Sequence, residues 1–180
     1  MERKRLAIGA TGRDFKLPCV DGQTYSLGHF KNKKLLVIVF SCNHCPYVQA
    51  YEERFIKIQR EYAEKGVGIV AINSNETANY PEDRFDKMVE RALEKKFNFP
   101  YLRDETQEVA DAYGAHYTPE IFLLDVERRL RYTGRIDDNW QFPDHVQSHD
   151  LIGAIETLLV GGEIAHPETH AVGCTIKWAK

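Results

Sequence analysis

The chain has 180 residues, the size of one ordinary domain, so a core can be buried without disulfide staples. Hydrophobic residues make up 43% and charged residues 28%, which excludes a largely disordered chain, a collagen-like repeat and a disulfide scaffold. With 24 basic and 27 acidic residues the net charge is −3, so no nucleic-acid partner is expected.

The N-terminal stretch from Met1 to Gly9 is charged and lacks the apolar run of about 7–15 residues that marks a signal peptide. The longest apolar run, Leu35 to Phe40, is far shorter than the roughly 20 residues of a membrane span. The expectation is a cytoplasmic protein with no membrane partner. In that reducing compartment a Cys-x-x-Cys pair serves catalysis or metal binding rather than a structural staple.

In chain order, Asp14 to Leu27 alternates apolar and polar residues around Asp21-Gly22, which predicts a short hairpin. Leu35 to Phe40 is continuously apolar and branched, as in a strand buried on both faces. Val48, Tyr51, Phe55, Ile58 and Tyr62 recur at three and four residues, an amphipathic helix that stops at Lys65-Gly66. Val67 to Ile72 is a second buried strand. Glu82 to Phe97 is expected to be a helix with Phe85, Val89, Leu93 and Phe97 on one stripe. Thr106 to Tyr113 is a shorter helix closed by Gly114. Ile121–Leu124 and Leu130–Tyr132 are two more strands joined by a turn, and Asp150 to Val160 is a helix stopped by Gly161-Gly162. This order predicts one α/β domain: a hairpin extension over 1–34, a core over 35–160 with a mixed sheet flanked by helices, and an irregular tail over 161–180.

The Cys42-Asn-His-Cys45 run follows the first buried strand and precedes the first helix, where α/β sheets place their sites. Thiol–disulfide exchange needs a thiolate, and a helix N-terminus favours one. The strand–loop–helix order assigns that position to Cys42, with Cys45 close enough to close a ring. Pro46 suits the first helical turn, and a protonated His44 would add positive charge.

With these residues the sequence resembles the thioredoxin superfamily, in particular the peroxiredoxin-like alkyl hydroperoxide reductase/thiol-specific antioxidant family. The resemblance rests on the hairpin at Asp21-Gly22, on Ser41-Cys-Asn-His-Cys-Pro-Tyr47, on Tyr117-Thr-Pro-Glu-Ile-Phe-Leu-Leu-Asp125, and on Gly173-Cys-Thr-Ile-Lys-Trp178. It implies a thioredoxin-like fold and an oxidoreductase without cofactor. It also implies an exposed attacking thiol at Cys42, a buried resolving thiol at Cys45, and a cis bond at Thr118-Pro119 that presents the Thr118 backbone to a substrate chain. The implied partners are protein or small-molecule disulfides and a thiol reductant.

Two departures stand out. The hydroxyl position of the peroxiredoxin motif holds Cys42, and the strand Leu35 to Phe40 carries no carboxylate to accept a proton from the buried thiol. Glu120, directly after Pro119, is a candidate replacement, since burial would raise its pKa and suit it to accept the Cys45 proton. Cys174 reads either as a third redox cysteine or as a packing residue that anchors the tail, and Cys19 as packing. His166, His170 and Cys174 with the Cys-x-x-Cys pair form an alternative zinc set, though Pro167 and Gly173 oppose the helix their spacing needs. His145 and His149 are expected at the surface or at a helix cap. Arg135, Asp137, Asp138 and Asn139 line the cleft or form a polar turn, and Asn73-Ser74-Asn75 binds substrate or caps a loop. The functional expectation is a thiol–disulfide oxidoreductase. Its alternatives are a thiol peroxidase and a non-enzymatic metal-binding or thiol-dependent interaction module.

Overall fold

Two buried strands, each apolar up to a polar last residue (Ser41 and Asn73), form the centre of the molecule. In the computed structural model, which describes residues 2–180, the short strands β1 (Leu17–Pro18) and β2 (Thr24–Tyr25) pair as the hairpin, and Gly22 takes the turn at φ 89°. Then follow β3 (Leu35–Ser41), α1 (Pro46–Tyr62), β4 (Val67–Asn73), α2 (Phe85–Lys95), β5 (Tyr101–Arg103), α3 (Glu108–Tyr113), β6 (Tyr117–Thr118), β7 (Glu120–Leu124), β8 (Leu130–Gly134), α4 (Asp150–Leu159) and β9 (Cys174–Thr175). The main sheet has the order β5-β4-β3-β7-β8: β3 is parallel to β4 and β4 to β5, while β7 is antiparallel to β3 and β8 to β7.

The period of two along β3 sorts its side chains into two cores. Leu35, Val37 and Val39 pack with Tyr51, Phe55 and Ile58 of α1 and with Leu151 and Ile155 of α4. Leu36, Ile38 and Phe40 pack on the opposite face with Phe15, Phe30, Tyr113 and Phe122. Both faces are covered, which explains why β3 and β4 read as unbroken apolar runs. Gly66, at φ 87°, ends the turn after α1. No helix among the described residues is long and apolar enough to cross a membrane.

Three features differ from expectation. The helix expected over Glu82 to Phe97 is broken: Pro81–Asp83 is a separate turn, Arg84 is extended, and α2 starts at Phe85. Its expected stripe faces the core only in part: Phe85 and Leu93 are exposed, Val89 is half-buried, and Phe97, beyond the end of α2, packs on the core, while Met88 is the helix's buried residue. A spacing of four residues overshoots a full helical turn by about 40°, so the stripe winds away from the sheet. The sequence reading also missed β5, three residues long behind Pro100. Finally, the tail is not wholly irregular, because β9 pairs antiparallel with β6, Thr118 opposite Cys174.

Candidate functional site

The parallel pair β3–β4 ends at Ser41 opposite Asn73, so the loops that follow, 42–45 and 74–75, emerge side by side. Pro46 is the first residue of α1, and Cys45 is its N-cap, with extended backbone at φ −73° and ψ 124°. Cys45, rather than Cys42, therefore occupies the helix N-terminus, because Asn43 and His44 stay in the loop. The exposure expected of Cys42 is also absent: Cys42 is 2% exposed and Cys45 0%. Val48 packs against both thiols, and Tyr47 and Cys174 cover them.

The tail brings the third sulfur. Cys174 Sγ lies 2.7 Å from Cys45 Sγ. As a thiol, Cys45 can donate to the Thr118 carbonyl oxygen at 3.3 Å, and Cys42 Sγ lies 3.5 Å from Thr118 Oγ1. The Thr118-Pro119 bond is cis. Hydrogen bonds from Cys42, from the Cys174 thiol and from the Val48 and Cys174 amides outweigh burial and pull Cys45 down to about 4. Cys42 moves well above its ordinary value, through its bond to Cys45, its burial and the charge of Asp83. Burial and the bond to Cys45 push Cys174 up to about 12. The anion thus belongs at Cys45 and the protons at its two neighbours.

The carboxylate of the site is Asp83, which the sequence reading placed in the first turn of a helix. It is fully buried, and it accepts the Asn43 amide at 2.7 Å, Asn73 Nδ2 at 3.1 Å and Asn75 Nδ2 at 3.0 Å. His44 Nδ1 lies 2.5 Å from its second oxygen, with the imidazole stacked on Tyr80. Tyr101 completes the shell by donating to Asn43 Oδ1 at 2.8 Å. Asn73 and Asn75 thus support Asp83. Asp83 was hidden because a buried acid looks like a surface one in sequence; the signals at hand were Pro81 and the paired asparagines that end β4.

Glu120 does not serve the thiols. Its buried carboxylate accepts the His116 and Tyr117 amides at 2.7 and 3.0 Å and pairs with Arg5. It anchors β6 and the N-terminal arm, so the proton-accepting role expected of it has no geometric basis. Among the described residues, Cys42, His44 and Asp83 are close enough to share an ion, with ligand atoms within 4.8 Å of one another. Three amide N–H groups already bond the Asp83 oxygens, and His44 Nδ1 stands 2.5 Å from one of them, so the carboxylate is engaged in holding the loops rather than open to a metal. The tail histidines do not join it: His166 and His170 are exposed, and His170 packs edge-on to Tyr117. His145 and His149 are exposed as well. The 135–139 segment is a polar turn that pins α1, with Asp137 receiving Tyr51 Oη and Arg54 Nη1, each at 2.7 Å. Cys19 is buried packing, and its burial pushes the thiol up.

The Redoxin family model matches residues 7–148. The chain belongs to the redoxin family. It is 27% identical to the thiol-disulfide oxidoreductase ResA of Geobacillus thermodenitrificans over 72% of this chain and 70% of that one. Among solved structures it resembles a hypothetical protein from Sinorhizobium meliloti 1021, with 36% identity, TM-score 0.91, and coverage of 98% of this chain and 97% of the other. It also resembles an uncharacterized conserved protein from Geobacillus kaustophilus, with 37% identity, TM-score 0.91, and coverage of 96% and 93%. Fold and family together make the chain a thioredoxin-like oxidoreductase.

Proposed function

We propose that this redoxin exchanges disulfides at Cys42 and Cys45, with Cys45 as the nucleophile. The observation that carries this reading is the Cys45 sulfur at the N-terminus of α1, pulled to about 4 by donors from two elements. A thiolate there attacks one sulfur of an external disulfide and expels the other as a thiol, leaving a mixed disulfide on Cys45. Cys42 then resolves it. The Cys42 thiol needs a base, and the His44 imidazole, beside Asp83 and within 4.8 Å of Cys42 Sγ, takes that proton. Cys42 attacks Cys45 Sγ, the substrate leaves as a thiol, and the Cys42–Cys45 disulfide waits for a thiol reductant. The substrates are disulfides of proteins or small molecules.

Insulin-disulfide reduction with dithiothreitol as reductant tests the reading. Cys45→Ser should abolish turnover, and His44→Ala should slow the resolving step by about 10²-fold. Turnover of hydrogen peroxide with no action on insulin would overturn it in favour of a peroxidase.

A further inference from the structure

Cys45 has a second sulfur neighbour that the exchange between Cys42 and Cys45 does not use. We propose that Cys174 is a third exchange cysteine, carried by the C-terminal tail, which closes a disulfide with Cys45. The proposal rests on the reading of Cys45 as the exchange thiol.

The placement is built rather than incidental. The sulfurs stand 2.7 Å apart although 129 residues separate them in sequence. The tail is held on both sides of Cys174. Before it, Gly173 packs so tightly on β6 that an added Cβ would fall 2.2 Å from the Thr118 carbonyl oxygen and 2.7 Å from its carbon. Only a residue without a side chain permits that approach. After it, the Ile176 amide donates to the His116 carbonyl at 2.9 Å, and Ile176 is buried. The Lys177 amide donates to Asn75 Oδ1 at 2.9 Å, and the Lys177 carbonyl accepts from Gln107 Nε2 at 2.8 Å. Asn75 also donates to Asp83, so the anchor of the tail and the polar cluster beside Cys42 share one residue. The tail meanwhile covers Cys45, so an external disulfide enters when the two-residue β6–β9 pairing opens.

The chemistry balances without a further oxidant. Cys45 thiolate attacks an external disulfide; the bond between the two external sulfurs breaks, and one leaves as a thiolate that solvent protonates. The returning tail sets Cys174 against Cys45 Sγ. A Cys174–Cys45 bond forms, the bond from Cys45 to the remaining substrate sulfur breaks, and that sulfur leaves with the Cys174 proton. The external disulfide gains two electrons and the two cysteines lose two. Attack of Cys42 on Cys45 then passes the bond to Cys42 and frees Cys174. Cys45 is the sulfur common to both disulfides.

The test oxidises the reduced full-length protein with 2-hydroxyethyl disulfide and maps the linked peptides under non-reducing conditions. In Cys42→Ser, the Cys45–Cys174 link should be the main product. In Cys174→Ser, the link should be Cys42–Cys45 alone. Gly173→Ala keeps every thiol but pushes the tail off Thr118, and should lower the Cys45–Cys174 share severalfold relative to Cys42–Cys45. If Cys42→Ser instead carries the external group on Cys45 while Cys174 stays alkylatable, the third cysteine is overturned and the exchange reading stands. An unchanged Cys45–Cys174 share in Gly173→Ala overturns the argument from tail placement. Failure of Cys45 to react in any variant overturns both readings together.

Discussion

Asp83 is a carboxylate with no exposure, and a charge in that position survives only if its oxygens are saturated. Its three amide donors do this, with His44 Nδ1 2.5 Å from the second oxygen, and the same charge pushes the Cys42 thiol up. Replacing it with Asn removes the charge while keeping the shape. The Cys42 titration should then move down, and the pH dependence of the resolving step should change, because His44 loses its partner. Asp83→Ala should in addition cost about 3 kcal/mol or more, since three donors lose their acceptor. Glu120→Gln is the matching control: its carboxylate serves Arg5 and two amides, so the pH profile of exchange should stay as in wild type. An altered profile in Glu120→Gln, or an unaltered one in Asp83→Asn, would sink the assignment. At this scale the sequence announced the thiols and misplaced the acid. Cysteine spacing is visible in one dimension, whereas the burial of a carboxylate depends on loops that only the fold brings together.

The elements that sequence periodicity located well are those with enough residues to show a period: β3, β4, α1 and α4. The elements it missed, β5, β6 and β9, have two or three residues each and are defined by partners far away in the chain. The end of β5, beside the expected helix α3, carries a stability prediction. The short helix α3 has Gln107 at its N-cap in the left-handed region, φ 64°, and no side-chain cap of its own. Asp104, at the end of β5, reaches over instead: its carboxylate accepts the Ala110 amide at 3.0 Å and Ser74 Oγ at 2.7 Å, and it is fully buried. Asp104→Ala leaves those donors unpaired and should destabilise the protein by about 1–3 kcal/mol, read as a lower urea midpoint at unchanged slope. Gln107 in the same turn holds the tail at Lys177 and Ala179. The substitution should therefore also reduce the yield of the Cys45–Cys174 link, and a midpoint equal to wild type would refute the cap.

For the whole molecule, the three thiols couple folding and redox state to pH. An unfolded cysteine titrates near about 8.5. Cys45 is depressed to about 4, so between those values the unfolded chain binds a proton there that the folded chain does not, and stability rises with pH. The contribution is complete above the unfolded value and vanishes as pH falls through about 4. Cys174, raised to about 12, has the opposite sign: its contribution is present below the unfolded value and is lost as pH climbs towards 12, and Cys42 acts in the same sense. Urea denaturation of the reduced protein should show a rising limb between about pH 4 and 8.5 that is missing from Cys45→Ser. The same protonation states fix the proton count of the redox couple. Reducing a disulfide between Cys45 and either neighbour yields one thiolate and one thiol, so two electrons arrive with one proton. The potential should then fall by about 30 mV per pH unit across the neutral range, half the slope of an ordinary dithiol. Equilibration against glutathione buffers from pH 6 to 8 measures it, and a slope near 60 mV would place a proton on Cys45 and remove the nucleophile from that sulfur.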